Sequence, residues 1–115
     1  MSEFPTINRY AVLLVPTDEC VAWVNCCPND DRPTTLEAAQ REPTVYLIPE
    51  GKADPETHIR RHYKAMFEEE LNSWYTDPDL WPKNRTFKTF KEFFDVQVST
   101  MVFDLGKGMI EKDEG

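Results

Sequence analysis

The sequence predicts an α/β domain of the α+β type, a small three-stranded sheet covered by one long helix and two or three short ones. Three observations carry this. Two short β-rich runs, Arg9 to Val15 and Thr44 to Ile48, are each followed by a proline. A long amphipathic stretch follows the start signal Asp54-Pro55-Glu56. A third stretch, Asp95 to Leu105 (DVQVSTMVFDL), alternates as a strand does.

In chain order the elements read β-α-(α)-β-α-α-β. The first run, RYAVLLV, is apolar on both faces, as in a central strand, and Pro16 ends it. Thr17 then stands as N-cap, with Asp18 and Glu19 in the first turn, where carboxylates suit the helix dipole. Val21, Val24 and Cys27 recur at helical spacing until Pro28. Residues Asn29-Asp30-Asp31-Arg32-Pro33 form a surface loop by composition. Thr34 followed by Glu37 fits a capping box opening one or two turns, Leu36 to Arg41.

The long helix runs from Pro55 to about Tyr75. At 100° per residue, Ile59, Tyr63, Met66, Phe67 and Trp74 gather on one face with Leu71 on its flank, the pattern of a helix packed on a sheet. Asp77-Pro78-Asp79 turns the chain, and Leu80-Trp81-Pro82 anchors the loop through a buried indole. Thr86 caps a last short helix with Phe87, Phe90 and Phe94 at i, i+3 and i+7. The two helices between the second and third strands favour an antiparallel pairing of those strands. Residues 1–105 form one domain, and 106–115 a polar, frayed tail.

The totals bound the function. At 115 residues there is room for one core, and a 12% aromatic share can fill it without metal or disulfide staples. A net charge of −8 repels phosphate backbones and anionic membranes, so neither nucleic acid nor membrane is an expected partner. An acidic inhibitor mimicking nucleic acid is the exception that acidity alone allows. The first residues, Met1-Ser2-Glu3-Phe4-Pro5, have neither a basic nor an apolar signal region. The apolar run Ala11 to Val15 falls far short of the roughly 20 residues a bilayer span needs. Three cysteines, two of them adjacent, make no extracellular disulfide framework. The expected location is the cytoplasm, and no cofactor motif is present.

Several segments recur together: Asn8-Arg9-Tyr10-Ala11-Val12, PTVYLIPE from Pro43 to Glu50, and FEEELNSWYTD from Phe67 to Asp77. Trp81-Pro82-Lys83-Asn84-Arg85-Thr86 and FFDVQVSTMVFDL from Phe93 to Leu105 complete the set. In this order, over most of the chain, they resemble a family of small, acidic, uncharacterised bacterial proteins. The resemblance implies a single α/β domain of bacterial cytoplasmic origin. It brings no ligand, activity or catalytic residue, and the cysteines lie outside its pattern.

Glu70 is the most informative residue, because it falls inside the apolar stripe of the long helix. A buried carboxylate must be paired, hydrogen-bonded, neutral or at a pocket mouth. One reading makes it a general acid/base of raised pKa in a pocket with Tyr63, Trp74 and Trp81. The plainer reading is a structural carboxylate bonded to an Arg, a Trp N–H or a Tyr hydroxyl from the sheet.

His58 and His62 stand at i, i+4 and can meet one metal ion, with Glu69 nearly two turns further on. The intervening Arg60 and Arg61 oppose a cation, which favours two solvent-side histidines and no metal. Cys20 and Cys27 read as buried small hydrophobes, and Cys26 as exposed. In Trp81 to Asp95, Lys83, Arg85, Lys88 and Lys91 outnumber Glu92 and Asp95 among aromatics. Helical spacing assigns those phenylalanines to the core and the lysines to water. Glu68 to Glu70 read mostly as a solvated run, and Asn84-Arg85-Thr86 is a sequon without meaning in a cytoplasmic chain.

With no catalytic constellation in evidence, the leading expectation is a non-enzymatic protein-interaction or regulatory module, as a homodimer or with another protein. The alternative is a small-molecule-binding protein or enzyme with its pocket around Glu70, between the long helix and the sheet.

Overall fold

The computed structural model of the chain describes residues 5–28 and 33–113. Most of the expected 29–33 loop lies outside the described residues, as do 1–4 and 114–115.

The elements are β1 (Arg9–Pro16), α1 (Asp18–Cys26), α2 (Leu36–Ala39), β2 (Thr44–Pro49), α3 (Pro55–Trp74), α4 (Phe87–Phe93) and β3 (Phe94–Ser99). A 3-10 turn, Pro78–Leu80, lies between α3 and α4. This is the α+β fold expected, a three-stranded sheet with one long and three short helices among the described residues.

The caps explain the helix starts. Asp54 accepts from the Glu56 backbone N–H at 3.1 Å, and Pro55 fills the first turn, where a missing N–H costs nothing. Thr86 accepts from Thr89 N at 3.2 Å to start α4. For α2 the cap is Thr35, accepting from Ala38 N at 3.1 Å, and not Thr34 as the capping-box spacing suggests. Thr34 is engaged elsewhere, its backbone exchanging two hydrogen bonds with the Asn25 side chain. Thr17 occupies the N-cap position of α1, but its hydroxyl donates to the Glu92 carbonyl and so ties α1 to the end of α4.

The strand order is β2-β1-β3, with β1 antiparallel to both neighbours. The expected antiparallel β2–β3 pair is therefore replaced by two pairings to β1. The most apolar strand takes the centre, where both edges are hydrogen-bonded. Val12 stands opposite Tyr46 on one side and Val98 on the other, and Leu14 opposite Thr44 and Val96.

The third strand is shorter than the alternation suggests and begins one residue earlier. Phe94, expected in the last helix, is the first residue of β3, so α4 enters the strand without a loop. After Ser99 the ladder breaks and resumes at an isolated bridge between Thr6 and Phe103, one residue out of the β1–β3 register. Residues 106–113 carry no helix or strand.

Because side chains alternate across a strand, Val12, Leu14, Tyr46, Ile48, Phe94 and Val96 share one face. They join Cys20 and Val24 of α1, Ile59, Met66, Phe67 and Leu71 of α3, and Phe90 and Phe93 of α4 in one core. Phe67 is its hub, with ring centroids 5.7, 5.3 and 5.9 Å from Phe90, Phe93 and Phe94. The opposite face carries Ala11, Leu13, Val15, Val45 and Leu47, none of which belongs to that core. Val45 and Leu47 are 52% and 46% exposed.

Two positions on α3 differ from the wheel. Leu71 is fully buried rather than flanking, and Trp74, placed on the apolar face by the wheel, is 36% exposed. Trp74 lines a surface hollow with Ala38, Ala39, Arg41 and Glu42.

Candidate functional site

Glu70 is 8% exposed and is the only charged side chain buried among the described residues. Thr44 and Tyr46, two apart on β2, both face α3, so their hydroxyls reach the two oxygens of one carboxylate. Thr44 Oγ1 donates to Glu70 Oε1 at 2.8 Å, and the Tyr46 hydroxyl donates to Oε2 at 3.0 Å. Ser73 Oγ donates to the Glu70 backbone carbonyl at 2.6 Å. Both carboxylate partners are neutral. Burial raises the Glu70 pKa, the two hydroxyls pull it down, and the charge of Glu69 raises it again.

The buried acid marks its neighbours. The Cys20 thiol is pushed up to about 12, first by burial and then by the Glu70 charge. Tyr46 is held above the usual phenol range by burial, then by the charge and hydrogen bond of Glu70. Glu70 therefore behaves as a tether between α3 and β2, with both oxygens engaged.

Two concavities flank this tether. The smaller, about 180 Å³, joins Glu70 and Glu42 with Thr44, Ser73 and Trp74. The larger, about 550 Å³, is a groove between β2 and α3. Tyr46, Ile48 and Pro49 form one wall, and His62, Ala65, Met66 and Glu69 line the other. Thr44 lines both concavities. A third hollow brings Lys64, Lys83 and Arg85 beside Glu68.

Of the pocket residues named from the sequence, Trp74 shares the small hollow with Glu70. Tyr63 and Trp81 are not among the residues described there. Tyr63 packs edge-on against Phe87 with centroids 5.2 Å apart, and Trp81 Nε1 donates to the Tyr75 carbonyl at 2.7 Å. Phe87 and Tyr63 are both partly buried and pack against the core.

His58 is half-buried, whereas His62 is exposed on the groove wall. Among the described residues no group of three or more His, Cys, Asp or Glu converges to hold a metal ion. Cys20 is buried, Cys26 exposed, and Cys27 intermediate at the end of α1. No helix among the described residues is long and apolar enough to cross a membrane.

The partners of Glu70 are what a reading of single segments misses. A Tyr hydroxyl from the sheet is among the expected kinds of partner, but Thr44 carries no such signal. The available clue is the polar pair Thr44 and Tyr46 on one face of a short strand. Trp23 is missed likewise: its indole N–H donates to the Leu80 carbonyl at 3.0 Å, and its ring meets Tyr75 edge-on at 5.5 Å.

Fold and site together define a two-layer α+β domain with a hydroxyl-tethered buried carboxylate and a groove along its edge strand. Compared with protein families, with curated proteins and with solved structures, the chain matches none.

Proposed function

We propose that this chain is a non-enzymatic protein-interaction module of the bacterial cytoplasm, docking a partner protein on the β2 side of its sheet. The observation that carries this reading is the exposure of Val45 and Leu47 on a strand whose outer edge no described strand pairs. An edge strand offers unpaired backbone donors and acceptors, and exposed apolar side chains add a reason to bind. The engagement of both Glu70 oxygens by protein hydroxyls supports a structural role for that acid over a catalytic one.

The test is differential capture. Wild-type protein and Leu47→Lys serve as parallel baits, and sedimentation velocity follows each alone over a wide concentration range. A partner, or a second copy, held by wild type and released by Leu47→Lys is the expected result. A monomer that retains the same proteins in both forms overturns the reading.

A further inference from the structure

We infer that the groove between β2 and α3 receives an extended peptide segment of a partner protein, one whose α3-facing positions, every second residue, carry apolar side chains together with a Lys or Arg. The inference rests on the interaction reading and names the partner's chemistry.

The first support is the edge. β2 pairs with β1 on one side, and no described strand lies on the other. Pro43 and Pro49 bracket this edge and lack a backbone N–H, so outward donors are confined to alternate residues within Thr44 to Ile48, the others facing β1. That length suits a short added strand and is poor for open-ended stacking.

The second is the groove. It lies directly beside that edge, holds about 550 Å³, and has Ile48, Met66 and Ala65 in its walls. In an extended peptide successive side chains point to opposite faces. A segment paired to β2 therefore sends every second side chain toward α3, where apolar groups of its own size are found.

Charge selects among occupants. Glu69 lines the groove and has no cation in ion-pair range among the described residues. Glu42 lines the adjoining hollow, reached past Thr44. A second copy of a chain of net charge −8 brings like charge to this rim, whereas a basic segment brings opposite charge.

The test uses a displayed library of random seven-residue peptides selected on the intact protein, with two variants for counter-screening. Ala65→Arg places a long side chain in the groove from an exposed helical position, and Glu69→Lys reverses the charge of its wall. The expected result is enrichment of apolar residues and a Lys or Arg together at every second position, with binding lost in Ala65→Arg and weakened about tenfold or more in Glu69→Lys. Backbone amide shifts on peptide addition should centre on Thr44 to Ile48. Peptides without basic residues, or peptides that bind Ala65→Arg equally well, overturn the inference. Self-association abolished by Ala65→Arg also overturns it, because the occupant is then a second copy. If no peptide is enriched while Leu47→Lys still releases a captured partner, the peptide assignment falls and the interaction reading stands. If both assays fail, both fall.

Discussion

The Tyr46 hydroxyl donates to Glu70 Oε2 at 3.0 Å across the seam between the edge strand and the long helix. With Thr44 on the other oxygen, it makes a buried acid the mechanical link between β2 and α3. That link joins β2 and α3, the two elements that wall the groove.

Glu70 makes stability depend on pH in a defined direction. Its folded pKa lies above the ordinary 4.5, so folding favours the neutral form. Its contribution is full below that ordinary value and is lost as pH rises through the raised one. Glu70→Gln cannot ionise and should lack this loss. Urea unfolding across acid to neutral pH should show the variant gaining on wild type as pH rises through that window. Parallel curves would contradict the assignment.

Removing the phenol hydroxyl isolates one strut of the tether. Tyr46→Phe should lower unfolding free energy by about 1.5–3 kcal/mol, as loss of a hydrogen bond to a charged group does. It should also raise the Glu70 pKa further, since this bond holds it down. Carboxyl-carbon NMR titration reads that shift, and an unchanged or lowered value would count against the geometry.

Thiol labelling at mildly alkaline pH should proceed in a fixed order. Cys26 is exposed and should react first. Cys27 should follow more slowly, its pKa raised by burial and then by Cys26. Cys20, pushed up to about 12 and buried, should stay unmodified until unfolding. Peptide mass spectrometry after timed quenching resolves the three.

The core hub should be the costliest position. Phe67→Ala removes a fully buried ring facing three other phenylalanines and should cost about 3–5 kcal/mol in urea unfolding. By contrast Asp54→Ala removes one helix cap at the surface and should cost about 1 kcal/mol. Equal losses would mean that Phe67 is not the packing centre.

What the sequence by itself determined was local. Hydrophobic period, caps and prolines set the order of elements, the start of α3 at Asp54-Pro55, and the place of Glu70 within the apolar stripe. Each depends on residues a few positions apart, whose geometry is dictated by the helix or strand they share. Only the tertiary structure decided that β1 lies between β2 and β3, that Phe94 begins a strand, and that Trp74 stays partly exposed. The same holds for the hydroxyls that meet Glu70, 24 and 26 positions away in the chain. The physical reason is that strand order and the partner of a buried charge are settled by which distant surfaces are brought into contact. A repeat of apolar residues shows which side is buried; it carries no label for what it is buried against.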